Sequence, residues 1–480
     1  MTTKSIIDLK KFLAKQKLAK DQILCTETDL KSYDTDATAL FKNKPHSVVI
    51  AKSVEDIQKT IRAINAYNKE EPEHKLSYLA RGAGTGLSGG AIADPHMVVI
   101  SVVGLNKVIE IDELNQRALV EAGLVNAQLS LKSKKYNLEF SPDPSSQNAC
   151  TIGGNIAENA GGIHCYKHGV TSDQILGLEY INDEGELCYL GELDETLKDN
   201  SINLAQFFSG SEGTFGIVTK ALLKLDPIPQ AFVTMQVACY NTLDASKIVS
   251  EIIKAGLKPA ALEMIDAGAI EAVNASFNMG LSDDVKAILL IEYDGHNEEV
   301  LINAQETKDL IETRFETVFI KQTQDLKEKK QLWQIRKGTV AAFGEIAPFW
   351  YLYDSVVPRS KIPQAMLAIE DIAQRHNLKL ASVCHAADGN LHPNFLYDPD
   401  KDPGVIDRIH KASEELMQIC IHLGGVLSGE HGIGLEKREF MPFMFSKKEM
   451  DLMLKVRKVF DPNMRNNPDK IFPIRVCKEC

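Results

Sequence analysis

No stretch of the chain comes near the ~18 consecutive apolar residues that a membrane-spanning helix requires, so a membrane span is not expected. The first residues, MTTKSIIDLKKFLAKQKLAKDQ, lack the apolar core of a secretory signal, and they lack the arginines of a mitochondrial transit peptide. Their lysine-rich, amphipathic pattern reads as a helix packed on the body of the protein rather than as a membrane anchor. Disulfide spacing is absent as well. Nine cysteines, an odd number without framework spacing, suit a reducing compartment. Cys477-Lys-Glu-Cys480 is a lone CxxC with no second pair to complete a zinc or iron–sulfur site, and it reads as an exposed tail. Nor is there an excess of basic charge. With 54 Lys and Arg against 66 Asp and Glu, the formal net charge is −12, which argues against broad nucleic-acid binding. A cytoplasmic protein is the expectation.

What is present is an ordinary globular composition, 44% hydrophobic and 25% charged over 480 residues, enough for two or three domains. PHSVVIAKSVEDIQKTIRAINAYN predicts a buried strand over 48–51. A helix begun by Ser53 follows it, with Val54, Ile57, Ile61 and Ile64 as its apolar stripe. LSYLA, MVVISV, RALVEAG and ILGLEYI predict further strands, and EYINDEGELCYL a hairpin turning at Asp183-Glu184-Gly185. LDPIPQ marks a proline-punctuated boundary. Beyond it, AFVTMQVACY, AALEMI, KAILLIEYDG, FWYLYDSVV and KLASVCHA read as strands. They alternate with helical patterns near 242–255, 298–314, 324–342, 361–376 and 404–423, so a sheet layered against helices is expected.

Three glycine tracts carry the chemistry of the first half. ARGAGTGLSGGA holds a formal GxGxxG from Gly84 to Gly89, but a dinucleotide fingerprint needs a helix to open directly from its glycines. Pro95 and the strand MVVISV follow instead, and no GKS or GKT is present for a Walker loop. What remains is a loop between two strands whose backbone N–H groups can form an anion-binding concavity. SPDPSSQNACTIGGNIAENAGGIHCYKHG adds two double glycines and the amides of Asn155 and Asn159, and GSEGTFGIVTKALLKLDPIP adds a third glycine run leading into a strand. Together they suit a large, flat, polar-rimmed ligand.

These tracts resemble the flavin-binding domain of the vanillyl-alcohol oxidase/p-cresol methylhydroxylase superfamily. The resemblance is closest to its FAD-linked D-2-hydroxyacid dehydrogenases, within them to the glycolate and D-lactate dehydrogenases, and it runs from about Pro45 to Pro473. It implies an α+β fold: a two-part FAD-binding domain over 1–226 with an N-terminal helix, an α+β substrate-capping domain over 227–424, and a segment over 425–480 that returns to the flavin. By the same resemblance Arg81, Gly82, Gly84, Thr85, Gly86, Leu87 and Ser88 would wrap the FAD pyrophosphate. Pro142, Ser145, Gly153, Gly154, Asn155 and Gly162 would line the cofactor, with Ile217 near the adenine and Asn467 close by. Some members attach FAD through a histidine in the first glycine loop. Arg81 to Ala91 contains none, so noncovalent FAD is expected.

CHAADGNLHPNFLYD places His385 and His392 on either side of an Asp-Gly-Asn turn, between a strand ending at His385 and one beginning near His392. Two imidazoles and a carboxylate are a common metal set with room for substrate. LSGEHGIGLEK offers Glu430 as the carboxylate, with His431 beside it among Gly429, Gly432 and Gly434. The resemblance supports the same ligands, His385, His392 and Glu430, for a divalent metal, with zinc favoured and manganese or iron also suited. It makes His431 the base for the substrate hydroxyl, Arg336 the reader of the substrate carboxylate and a catalytic residue, and Asn394 a substrate contact.

The hydroxyglutarate enzymes carry a lysine where alignment on Tyr353-Asp354 puts Leu352. An apolar residue cannot answer a second buried carboxylate, so glycolate or D-lactate is favoured as substrate. The expected reaction is FAD-dependent oxidation of the D-2-hydroxy acid to the 2-oxo acid, with hydride passing to flavin N5. A flavin oxidase reducing oxygen, or a non-catalytic flavin-binding subunit of a larger dehydrogenase complex, is the alternative. Without an iron–sulfur motif of its own the chain would pass electrons to an iron–sulfur subunit, a quinone or a soluble carrier, and peripheral membrane association through such a partner stays open, as does a homodimer.

Overall fold

A computed structural model describes residues 3–38, 40–194 and 203–474. The CxxC at Cys477 and Cys480 lies outside them. The chain forms two compact units. Unit 1 comprises Met1–Gly162, Gly169–Ile228 and Glu430–Cys480, and unit 2 comprises Ile163–His168 and Pro229–Gly429. Among the described residues no helix is long and apolar enough to cross a membrane.

Among the described residues unit 1 holds two larger sheets and a two-stranded pair, Leu138–Glu139 with Asp226–Pro227. In the first, strands Ser47–Ile50, Met97–Ser101 and Ser77–Arg81 run parallel, with Ile23–Leu24 antiparallel at the edge. The run SVVI is buried almost throughout, as a parallel strand covered on both faces should be. Ser53 caps the helix Val54–Glu70 by accepting from Asp56 N. Its Ile57, Ile61 and Ile64 are buried among Val49, Val98 and Ile100. Leu9, Phe12 and Leu13 of the helix Thr3–Lys15 enter the same core, so the N-terminal amphipathic face is spent on packing. The second sheet is antiparallel, in the order Val108–Asp112, Arg117–Glu121, Ile217–Lys224, Ile175–Ile181, Leu187–Gly191. The expected hairpin turns with Gly185 at φ 77°.

Several helices in unit 1 were not expected, Asn126–Ser133 among them, and two bear on the site. Ile152–Glu158 runs through the second glycine tract, capped by Thr151, although glycine disfavours helix. Packing decides it: a Cβ on Gly153 would lie 3.1 Å from the Ala122 carbonyl. Lys447–Phe460 is the other, opened by a Ser446/Glu449 capping box.

Unit 2 is an eight-stranded sheet in the order Phe319–Thr323, Ala231–Cys239, Ala287–Gly295, Ala261–Asp266, Lys379–His385, Asn390–Tyr397, Phe349–Leu352, with Ser355–Val356 pairing the Asn390–Tyr397 strand. Every pairing is antiparallel. Alternate residues therefore face opposite sides. Ala238, Ile288, Leu290, Ile265, Ala381 and Val383 pack on one face against Ile270 and Val273 of helix Ala267–Phe277, together with Leu332 and Ile335 of helix Leu326–Ala342. The register places Glu292, Glu263, His385, His392 and Asn394 on that same face. The Ala267–Phe277 helix, also absent from the sequence reading, opens at the end of its strand with Asp266 as cap.

Leu290→Ala is expected to lower the urea stability of unit 2 by about 2–5 kcal/mol, the cost of a core truncation. Leu114→Ala, at a position 90% exposed, should change stability by less than about 0.5 kcal/mol. Equal effects from the two would contradict the packing described.

Candidate functional site

In unit 1 the three glycine tracts and the C-terminal segment meet. Arg81 ends its strand and turns its guanidinium back on the loop that follows, donating to Ala91 O at 2.8 Å and Thr35 O at 2.7 Å. It thus braces both ends of the first glycine loop. Gly84, at φ 71°, allows this approach, since a Cβ there would sit 2.3 Å from the guanidinium. Gly82 meets the second tract, where a Cβ would lie 2.2 Å from Thr151 Oγ1. Gly162, at φ 157°, lies against Asp143, beside Pro142. Thr85, Gly86 and Leu87 are half-buried and Ser145 is exposed. Ile217 is buried in the first core, where its side chain packs among apolar neighbours.

The glycines of the Glu-His motif are explained within the same unit. Glu212, from the third tract, accepts from Ile433 N at 2.7 Å and Gly434 N at 2.8 Å. Ser88 O accepts from Leu435 N and Glu436 N. A Cβ on Gly434 would stand 2.1 Å from Ser88 O, and one on Gly432 would stand 2.7 Å from Glu158 Oε2. Asn467 ties these parts together: its Nδ2 donates to Gly90 O and Glu212 O, and its backbone N donates to Tyr78 O. Ser88 Oγ, Asn155 Nδ2 and Asn467 Oδ1 are buried without a protein partner. Such atoms cost about 1–3 kcal/mol each unless a ligand answers them. A polar, phosphate-bearing cofactor in noncovalent contact fits this lining.

Sequence reasoning missed Glu158 and Glu212. Each is an acid inside a run of small residues, and that incongruity was the available signal. Burial pushes the Glu158 carboxyl well above its ordinary range, and the nearby Glu212 and Asp36 add to the rise. Glu212 is also raised by burial, against the hydrogen bonds from Ile433 and Gly434. Lys470, itself buried, is lowered to about 8.

In unit 2 the two histidines converge. Their rings lie 5.2 Å apart and perpendicular, with ring nitrogens within 4.8 Å, and both are buried. His385 Nδ1 contacts Glu263 Oε1 at 2.7 Å and His392 Nδ1 contacts Tyr353 O at 3.1 Å. Each partner is an acceptor, so each Nδ1 carries the proton and each Nε2 the lone pair that a metal takes. Arg336 lies on the helix that covers this face, its Nε donating to Glu263 Oε2 at 2.7 Å. Burial acts to raise Glu263, but the Arg336 charge and the hydrogen bonds from His385 and Arg336 outweigh it and hold the carboxyl below its ordinary range. Asn394 donates to His392 O, while its Oδ1 is buried without a protein partner. Leu352 is its cross-strand partner. Asp354, missed in the sequence, accepts from Ser428 Oγ and Gly429 N. It thereby fixes the last residue of unit 2 before the chain continues into Glu430 and His431, which are half-buried in unit 1.

The family model for the FAD binding domain matches residues 45–191, and that for FAD linked oxidases, C-terminal domain, matches residues 228–471. The Escherichia coli K12 protein named glycolate oxidase subunit GlcD is 33% identical over 452 residues, covering 94% of this chain and 88% of the relative. The D-lactate dehydrogenase of Anaerostipes hadrus is 28% identical, covering 95% of this chain and 96% of its own. Substrate-bound p-cresol methylhydroxylase superposes with a TM-score of 0.78 at 17% identity over 98% of both chains, which shows the two-part fold.

The raised Glu158 carboxyl has a thermodynamic consequence. A group whose folded pKa lies above its unfolded one contributes stability that is complete below the ordinary value of 4.5 and is lost as pH rises through the raised value. Melting of the holoprotein should therefore fall with rising pH above 4.5 more steeply than that of Glu158→Gln. Parallel profiles would show that the carboxyl titrates as it does in the unfolded chain.

Proposed function

The chain belongs to the FAD-linked oxidases, and on that premise we propose that the D-2-hydroxy acid it oxidises to a 2-oxo acid is a short one, glycolate or D-lactate. The observation that carries this reading is one face of the unit 2 sheet, where His385, His392 and Asn394 stand in register beside the Arg336–Glu263 pair. When bound, FAD supplies the two-electron acceptor for such an oxidation, and a divalent metal supplies a Lewis acid for the hydroxyl.

The residues then divide the work. The first glycine loop, from Arg81 to Ser88, offers backbone N–H groups to the FAD pyrophosphate. Pro142, Ser145, Gly153, Gly154, Asn155 and Gly162 line the cofactor. Ile217 borders it, and Asn467 locks the loop that faces it. His385, His392 and Glu430 hold the metal, for which zinc, manganese and iron all suit the donor set. Arg336 orients the substrate through its carboxylate, because a guanidinium with its Nε engaged keeps four N–H donors. Asn394 Oδ1 is an acceptor in a buried setting, suited to a substrate hydroxyl. His431 accepts the proton of the 2-hydroxyl at a ring nitrogen, an imidazole near neutral pKa being suited to that step. Leu352 beside Asn394 leaves a second carboxylate without a partner, which disfavours dicarboxylic acids. The E. coli relative is named as a subunit, which supports a partner protein as electron acceptor.

Anaerobic bleaching of the flavin by glycolate, both lactates and D-2-hydroxyglutarate tests the reading. Glycolate or D-lactate should bleach it, with loss on chelation and in His431→Ala. Bound flavin that no hydroxy acid reduces, with zinc or manganese restored, would falsify it. Leu352→Lys should raise kcat/KM for D-2-hydroxyglutarate by about 10-fold, the worth of one charge-assisted contact of ~1.4 kcal/mol or more. An unchanged ratio would remove Leu352 from substrate choice.

A further inference from the structure

Two of the residues given roles above share a third that has none. Glu263 sits in the middle of the unit 2 sheet, on strand Ala261–Asp266 and directly across from His385 in register. One carboxylate oxygen, Oε1, lies 2.7 Å from His385 Nδ1, and the other, Oε2, lies 2.7 Å from Arg336 Nε. The side chain of Glu263 is 1% exposed, that of His385 7% and that of Arg336 9%, so water does not substitute for either contact. We infer that Glu263 is a positioning residue that sets, from one carboxylate, both the tautomer of His385 and the direction of Arg336. This rests on the reading of His385 as a metal ligand and Arg336 as the carboxylate reader.

The two contacts are alike in length but not in chemistry. Arg336 Nε is always a donor, because a guanidinium does not lose its proton in a protein. His385 Nδ1 is a donor in one tautomer and an acceptor in the other. A carboxylate accepts from both, which requires His385 to carry its proton on Nδ1 and its lone pair on Nε2. A glutamine at 263 has one oxygen and one NH₂. Its oxygen must serve Arg336, so its NH₂ faces His385 Nδ1, and the ring answers by moving its proton to Nε2. In that tautomer Nε2 cannot ligate. One isosteric substitution therefore separates the two functions: Arg336 keeps its acceptor while His385 loses its competence for metal.

The experiment uses the purified holoprotein, with bound zinc measured after dialysis at fixed free zinc, alongside kcat and KM for glycolate and flavin content. Glu263→Gln should weaken zinc retention by about 10–100-fold, the usual effect of losing the partner behind a ligating histidine. It should lower kcat in proportion, recover kcat at excess zinc, and leave KM within about 3-fold. Glu263→Ala, which leaves Arg336 without its acceptor as well, should also raise KM. A merely structural role would move zinc, KM and flavin content together in both variants. Wild-type zinc retention in Glu263→Gln overturns the inference if His385→Ala loses zinc. Wild-type retention in His385→Ala overturns the metal reading itself, whatever Glu263→Gln does. Should Glu263→Gln not fold, Glu263→Met/Arg336→Met is compared with Arg336→Met, since the uncompensated guanidinium is then gone and no acceptor is left at position 263 for His385 Nδ1. A further 10-fold loss of zinc in the double variant supports the inference, and equal retention overturns it.

Discussion

A carboxylate taken out of water has to be answered by donors, and unit 2 buries two of them on the face of its sheet that also carries the histidines. Glu263 is answered by Arg336 and His385. Glu292 is answered by Lys329 Nζ at 2.7 Å, Trp333 Nε1 at 2.9 Å and Thr234 Oγ1 at 2.8 Å. Burial acts to raise Glu292, yet the hydrogen bond from His164 and the charge of Lys329 hold it down to about 2. Lys329, Trp333 and Arg336 are four and then three residues apart on helix Leu326–Ala342, so they form one stripe. A slip of that helix by one residue would turn the stripe by ~100° and take Arg336 from Glu263 and both Lys329 and Trp333 from Glu292, leaving each buried carboxylate short of donors. Desolvation offsets most of the Coulomb gain in such pairs. What they fix is the register of the helix on the sheet, and with it the place of Arg336.

Unit 1 solves a different problem, that of bringing backbones close together. Its loops cannot approach through side chains, because Gly82, Gly432 and Gly434 each stand where a Cβ would overlap a neighbour. Those neighbours are Thr151 and Glu158 of the second tract and Ser88 of the first. Asn467, with φ 41°, then holds the first and third tracts to one another through a single amide. The glycines therefore serve contact between loops as much as contact with a ligand. The atoms left for a ligand are the buried polar ones without protein partners.

Much of this was legible in the sequence where a local rule decides the outcome. The Ser53 cap and the stripe at Ile57, Ile61 and Ile64 gave the first long helix, and the failure of the Rossmann reading was visible in Pro95. The strands around His385 and His392 followed from their apolar runs. Helix Ile152–Glu158 was not legible, because tertiary packing of Gly153 overrides glycine's poor propensity. The excursion of Ile163–His168 into unit 2 has no sequence signal either; its Lys167 and His168 pair with Asp294 more than a hundred residues away. Glu263, within AALEMI, reads as a strand residue and nothing more. Its meaning depends on two partners, 73 and 122 residues distant, and pairing across such separations is a property of register rather than of any motif.

The two histidines are also not equivalent, although the sequence presents them as a symmetrical pair around a turn. His392 donates to a backbone carbonyl, Tyr353 O, whereas His385 donates to the buried Glu263 carboxylate. A charged acceptor draws the Nδ1 proton more strongly and makes the remote nitrogen the better electron donor. A metal held by both would thus be bound more firmly through His385. His392, on the strand that also carries Asn394, would be the ligand whose neighbours face the substrate. On the proposed roles, the asymmetry would give one histidine the task of retaining the metal and would leave the other beside Asn394 on its strand. It follows from which strand lies next to Glu263 in the sheet order, so the division of labour at the site is set by topology.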